Sequence, residues 1–262
     1  MTEFLKVTVL SVLQGIAEFL PISSSGHLAI GQELVGLETP DLRLEIFLHA
    51  GTLVSILIFY FGTVWRIVRE FEWVYVCKIL VSALPAVVVY ALFHDAIEDL
   101  FANTRMVGAL LMFTGAVLIG TRYLPRGTQD VSFLRALLMG FGQAVALLPG
   151  ISRSGLTLAS ARAGKVDPAK SAEFSFLMSA PLILGAMLLQ VLKMAGVTGD
   201  AEAAADGGLG WGLLVYGAAL SAVVGYGALV LLVRALKGKW FWLFGPYCLA
   251  AGLLTLVFAH GS

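Results

Sequence analysis

The sequence predicts an all-α integral membrane protein whose two related halves enter the membrane in opposite senses. Three observations carry that expectation. Of its residues 59% are hydrophobic and 13% charged, with a mean hydropathy of +0.90, whereas soluble domains carry about a quarter charged residues. Six segments are apolar over about the 20 residues that a helix needs to cross hydrocarbon. A single register shift also lays the first half on the second without a gap. Gln14 falls on Gln143, Ala17 on Ala146, Ile22-Ser23 on Ile151-Ser152 and Ser25-Gly26 on Ser154-Gly155. Beyond the polar stretch, Phe47-Leu48 falls on Phe176-Leu177 and Leu53 on Leu182. One membrane domain over 1–262 is expected, with repeat one at about 4–123 and repeat two at about 133–258.

Residues 4–20 are apolar and stop at Pro21, and the apolar sequence that resumes at Leu28 ends near Gly36. Each piece is short for a crossing. A re-entrant helix hairpin over 4–36 is therefore expected, because broken backbone is tolerated at membrane depth only against protein or a water-filled cavity. Spans follow at about 46–65, 74–93 and 105–123, the second with a kink at Pro85. The stretch 133–149 then ends at Pro149-Gly150, and a short segment from Ser154 to Ala163 repeats the hairpin pattern. Three more spans are placed at about 172–195, 212–235 and 240–258. Trp65, Trp211, Trp240 and Trp242 mark span ends and read as interfacial anchors. Cys77 and Cys248 lie in spans, far from any ligand-spaced Cys or His, and read as small core residues.

Three crossings per half reverse the sense of entry of the second half. The charges give the same answer independently. Arg66 and Arg69, Arg122 with Arg126 and Arg135, Arg162 with Lys165 and Lys170, and Arg234 with Lys237 and Lys239 fall in loops on one side, expected to be cytoplasmic. The segments 37–45, 94–104 and 196–210 carry Glu38, Asp41, Asp95, Glu98, Asp99, Asp200, Glu202 and Asp206, and are expected to face outward with both termini. The formal net charge of zero and the lack of a basic run exclude nucleic-acid binding. The N-terminal apolar stretch holds Glu18 and Pro21 with only Lys6 before them, which is not the pattern of a cleaved signal peptide.

The chemistry sits at the two breaks. Gln14 to Leu28 sets a carboxylate, three hydroxyls and an imidazole inside hydrophobic sequence. An ionised side chain left unpaired there costs about 2.5–3.5 kcal/mol, so the cluster needs a compensating purpose. A helix restarting after Pro21, with Ser23 or Ser24 as N-cap, aims free N–H groups past the break, and the helix starting near Ser152 does the same. Each end carries roughly half a positive charge and binds phosphate readily. Arg153 adds a planar donor fork suited to phosphate oxygens. Ser23, Ser25 and Gly26 at the first tip, with Ser152, Ser154, Gly155 and Thr157 at the second, are the expected lining. The predicted ligand is a phosphorylated molecule.

Structural readings compete with each of these. Small residues in membrane helices commonly serve close packing, and Arg153 has an alternative as the buried partner of Glu18. The recurrence of the pattern favours a site. His27 follows Ser23 and Ser24 by about one helical turn, which puts hydroxyl and imidazole on adjoining faces. Gln14, Gln143 and His49 are placed around this centre in support, with packing as the other reading of His49.

These residues carry a resemblance. Gln14-x-x-x-Glu18-Phe-Leu-Pro-x-Ser-Ser-Ser-Gly-His27 resembles the first signature of the undecaprenyl-diphosphatase, or bacitracin-resistance, family, and Pro149-Gly-Ile-Ser-Arg-Ser-Gly-Leu-Thr157 resembles its second. The likeness covers essentially the whole chain. Many members have Glu where this chain has Gln14, so Glu18 must carry any metal or acid–base role there. The resemblance implies hydrolysis of undecaprenyl diphosphate to undecaprenyl phosphate, the carrier recycled for peptidoglycan and other envelope polymers, and with it bacitracin resistance. It implies a bacterial cytoplasmic membrane and a pocket that opens to its outer, periplasmic side. The implied partners are a polyprenyl diphosphate lipid and membrane lipids, and a homo-oligomer stays open.

Phosphoryl transfer asks chiefly for positioning and for neutralisation of spread charge, which Arg153, the helix N-termini and a divalent cation, Mg²⁺ or Ca²⁺, would supply. Glu18 is expected either to hold that cation together with diphosphate oxygens or to orient a water. Ser24 is the candidate nucleophile activated by His27, with attack by His27 itself as the open alternative. A competing class is a transporter or flippase for a phosphorylated lipid, since inverted repeats with broken helices also build secondary transporters. A carrier, however, has no need of a hydroxyl–imidazole pair beside its phosphate site.

Overall fold

The computed structural model of the protein describes residues 1–36, 42–101, 103–194 and 209–258. Among these, every regular element is helical apart from an isolated bridge between Gln129 and Val166. Helices α1 (Glu3–Phe19) and α2 (Ser24–Leu34) form the first hairpin, and α7 (Phe133–Val145) and α8 (Arg153–Ala163) the second. Between and after them run α3 (Leu42–Phe59), α4 (Phe61–Arg69), α5 (Trp73–Phe101), α6 (Thr104–Gly120), α9 (Pro168–Met194), α10 (Trp211–Gly238) and α11 (Phe244–Phe258). Five segments, 73–97, 104–123, 168–192, 211–238 and 241–258, are long and apolar enough to cross a membrane. The chain is thus an all-α, multi-pass membrane protein.

The sixth expected span, 46–65, is not one helix. The chain turns by 73° at Tyr60, between α3 and α4. Arg66 and Arg69, with an ion pair from Arg66 Nε to Glu72 at 3.0 Å, cannot continue into hydrocarbon, and no residue of α4 is buried. Phe61 and Trp65, both mostly exposed, suit an interfacial helix instead. In α5 the helix runs through Pro85, and the departure from helical backbone falls two turns later at Phe93 (φ −132°, ψ 17°). Most of the acidic stretch expected as the loop 94–104 is therefore the last part of α5. Cys77 faces outward, while Cys248 is buried with its thiol on the Pro21 carbonyl at 3.4 Å. The expected acidic positions Glu38, Asp41, Asp200, Glu202 and Asp206 lie outside the described residues.

Packing fixes the helix directions. Helix α1 lies along α10 in the same sense: Phe4 stacks on Tyr216, Gly217 meets Val7 and Ser11, and Gly225 meets Phe19. Helices α5 and α7 also run in the same sense, with Lys78 over the Phe133 ring near their starts and the Ser82 backbone against Gly140 further on. Helices α6 and α11 are antiparallel. A Cβ on Gly108 would lie 3.0 Å from the Gly252 carbonyl and one on Gly115 2.8 Å from that of Gly245, so these four glycines let the two backbones touch. Because α5 joins α6, and α10 joins α11, through short connections that reverse direction, α1 must oppose α7. Those are the directions that oppositely inserted halves require.

The two hairpins consequently open on opposite ends of the molecule. The first is closed at its mouth by Lys6 Nζ on the Gly36 carbonyl at 2.7 Å, and the second by Arg135 Nε on the Gly164 carbonyl at 2.9 Å. The second mouth lies in a cluster of basic loops. Arg162 donates to the Leu124 carbonyl at 3.0 Å, Arg126 to that of Lys237, and Lys170 pairs with Asp130. The hydrogen bond from the Lys170 ammonium holds the exposed Asp130 carboxyl below its ordinary range. Between the two mouths the tips meet: Ser154 Oγ donates to the Leu20 carbonyl at 3.3 Å, and Pro21 packs 3.4 Å from the Gly155 Cβ position.

Candidate active site at the meeting of the two hairpins

Each tip reverses the chain by a different device. In the second hairpin Gly150 takes φ 88°, and a side chain there would strike the Val107 carbonyl, so only glycine fits. Ser152 then caps α8, its Oγ accepting from the Gly155 N–H at 3.1 Å. In the first hairpin the left-handed residue is Ser23, at φ 70°. A side-chain-bearing residue pays about 1–3 kcal/mol for such a conformation, which commonly marks a functional turn. Here the strained residue immediately precedes Ser24, the first residue of α2.

Ser24 Oγ donates to Glu18 Oε2 at 2.8 Å, and Gln14 Nε2 donates to the same oxygen at 3.2 Å. The other carboxylate oxygen, Oε1, is bonded to Arg153 Nη2. One buried carboxylate, 7% exposed, therefore ties the hydroxyl of the first tip to the guanidinium of the second. The pair does not exhaust Arg153. Its Nη1 is buried with no partner among the described residues, as are both side-chain polar atoms of Gln143 and Oε1 of Gln14. Unpaired buried donors cost free energy and want an acceptor. A purely structural role for Arg153 leaves this donor unexplained.

These groups line a cavity of about 340 Å³. Its polar floor is made by Glu18, Ser24, Ser25, His49, Gln143, Ser152 and Arg153, and its apolar wall by Leu182, Ile183, Ala186 and Met187 of α9. Phe101 and Gln190, near the C-terminal ends of α5 and α9, border it on the side away from the basic loops. The cavity is large enough to hold a diphosphate beside hydroxyl, carboxylate and guanidinium groups.

Not every expected residue reaches it. His27 does not approach Ser24. Its Nδ1 donates to the Ser23 carbonyl at 2.9 Å, so Nε2 accepts from the Tyr247 hydroxyl at 2.7 Å, and the two rings stack. Helical spacing put imidazole and hydroxyl on adjoining faces, but a carboxylate six residues earlier claims the hydroxyl and a tyrosine of α11 claims the ring. Ser23 and Gly26 form the turn itself, Ser23 Oγ receiving the Gly26 N–H at 3.5 Å. Ser154 holds the opposite tip, Gly155 packs under it, and Thr157 Oγ1 meets Ser175 Oγ at 2.6 Å. Of the expected lining, Ser25 and Ser152 face the cavity.

The imidazole that does reach the site is His49. Its Nδ1 donates to the Glu45 carbonyl at 2.9 Å, leaving Nε2, 4.0 Å from Glu18 Oε2, to face the carboxylate. Ser179 and Gln190 of α9 also line the cavity and carried no signal in the sequence beyond polarity within an apolar span.

Sequence comparison places this chain among known proteins. The family described as bacitracin resistance protein BacA matches residues 7–254. A protein of Halothermothrix orenii named undecaprenyl-diphosphatase is 36% identical, the match covering 98% of each chain. Proteins of the same name from Rhodopirellula baltica and Methanosphaera stadtmanae are 38% and 35% identical, again over 98% of each chain.

Proposed function

The chain belongs to the bacitracin resistance protein BacA family, and from that premise we propose how Ser24, Glu18 and Arg153 carry out its reaction. The protein is an undecaprenyl-diphosphatase, hydrolysing undecaprenyl diphosphate to undecaprenyl phosphate and inorganic phosphate. This activity removes the lipid diphosphate and accounts for the bacitracin resistance in the family's description. The observation that carries the mechanism is the Ser24–Glu18–Arg153 chain across the two tips.

The terminal phosphate binds to Arg153, whose free Nη1 is the donor in waiting, and to Gln143 Nε2. Glu18 takes the Ser24 proton as Oγ attacks the terminal phosphorus, the anhydride bond breaks, and the lipid monophosphate leaves with its electron pair. Glu18 passes that proton to His49 Nε2 and from there to solvent. Water then attacks the phosphoserine, giving its proton to the freed Glu18, which returns it to Ser24 Oγ as the P–O bond breaks and inorganic phosphate departs. One water is consumed overall. His49 Nε2 faces Glu18 and can accept protons from it between steps. His27 serves the fold by tying α2 to Tyr247.

A divalent cation is part of this proposal. Among the described residues no three His, Cys, Asp or Glu side chains converge into a complete cage. Glu18 with the unpartnered Oε1 of Gln143, both lining the cavity, suits Mg²⁺ or Ca²⁺ if diphosphate oxygens and water complete the shell. Such an ion would neutralise charge on the diphosphate. Purified protein in detergent is expected to release phosphate from undecaprenyl diphosphate, to stop on EDTA treatment and to recover with added Mg²⁺ or Ca²⁺. Full turnover in metal-free buffer would remove the cation from the scheme, and no release under any condition would remove the hydrolase.

The orientation proposed is that of a bacterial cytoplasmic membrane protein with its basic loops inside, so that the cavity opens outward. In a variant lacking Cys77 and Cys248, Asp99→Cys is expected to react with an impermeant thiol reagent on intact spheroplasts, and Lys237→Cys only after permeabilisation. Labelling of both from outside would defeat the assignment.

A further inference from the structure

A second concavity, of about 450 Å³, lies between α5 and α7, bounded by side chains that include Val89, Phe93, Ile97, Phe141 and Val145. None of its lining residues is polar. Phe93 and Phe141 are each 56% exposed, so the groove opens sideways, towards lipid. It spans the point where α5 leaves helical backbone at Phe93. It also adjoins the active-site cavity: Leu147 lines both, and Leu100 of the groove precedes Phe101 of the cavity in the chain.

A polyprenyl diphosphate must place its head against Arg153 and Ser24 while its tail remains in hydrocarbon. The tail cannot share the polar floor of the cavity, and this groove is an apolar recess that continues from that cavity through the shared Leu147. We infer that the α5–α7 groove receives the first isoprene units of the lipid substrate and thereby sets the approach of the diphosphate to Ser24. The inference rests on the hydrolase reading above and names a subsite for it. Lipid tails solvate an isoprenoid as well as leucine does, so the groove gains little from the hydrophobic effect. Its contribution is orientation, which holds the phosphorus in line with the attacking oxygen.

The test uses full-length protein in detergent and two positions that are exposed, so that folding is not at stake. Ala96→Trp fills the groove from α5, and Phe141→Ala removes one of its walls. Ala96→Trp is expected to lower kcat/KM for undecaprenyl diphosphate about tenfold while leaving that for ethyl diphosphate, whose tail cannot reach the groove, unchanged. Phe141→Ala should act in the same direction, more weakly. An undecaprenyl diphosphate carrying a diazirine on its first isoprene units should label peptides of α5 and α7. Equal loss with both substrates, no loss with the long one, labelling spread over all lipid-facing helices, or labelling confined to the α9 wall would each overturn the groove assignment. Absence of phosphate release from the long substrate by the unaltered protein, with α5 and α7 still labelled, would instead overturn the hydrolase reading and leave the subsite standing.

Discussion

Arg153→Lys is expected to leave the protein folded and to cut phosphate release by about 10²- to 10³-fold, the range found when one preorganised donor to a developing oxyanion is lost. The ammonium keeps the charge and can still pair with Glu18. It lacks the second prong. Arg153 holds Glu18 through Nη2 and leaves Nη1 without a partner among the described residues, available for the phosphate in the proposed reaction, a division that a planar fork permits and a point charge does not. Melting in detergent and behaviour on gel filtration should change little, since the pair across the tips persists. Rates equal to those of the parent would show that only the positive charge matters. Arg153→Met should lose activity at least as severely and should also destabilise, because Glu18 would be left buried without its cationic partner.

Ser24→Ala should abolish turnover, while His27→Ala should retain most of it and show a lowered melting temperature from the lost tie to Tyr247. That contrast separates the geometry found here from the pairing that helical spacing suggests. Acid quenching of the working enzyme should trap phosphate on Ser24, stable to acid. Phosphate on His27, labile to acid and stable to base, would return the histidine to the chemistry. Finding neither adduct, with Ser24→Ala still active, would assign the attack to water held by Glu18. Glu18→Gln should be as damaging as Ser24→Ala in either serine or water attack, since both routes give their proton to this carboxylate.

How much was legible followed from the range of each interaction. The spans, the hairpins and the repeat depend on hydrophobic runs interrupted by Pro21 and by Pro149-Gly150, and these can be read along the chain. The break at Tyr60 has no proline to mark it and the two helices read together as one apolar span, so the 73° turn shows only in the structure. The expected kink at Pro85 moved to Phe93, where the chain alongside the groove departs from helical backbone. Ser154 and Thr157 share a signature with Arg153, yet their hydroxyls are consumed by the Leu20 carbonyl and by Ser175.

What the sequence determined by itself was the membrane class, two polar tips, the family and the presence of Glu18, Ser24 and Arg153 at those tips. Those are properties of composition, local order and motif. Which base faces Ser24 was decided only in three dimensions. Glu18 and Ser24 are six residues apart across a break, Arg153 comes from the other half of the chain, and Tyr247 draws His27 away from 220 residues further on. A hydrogen bond depends on distances within a few tenths of an ångström. Helical spacing constrains such distances only between neighbours on one unbroken helix, and here the chain is broken at the point where the chemistry is placed.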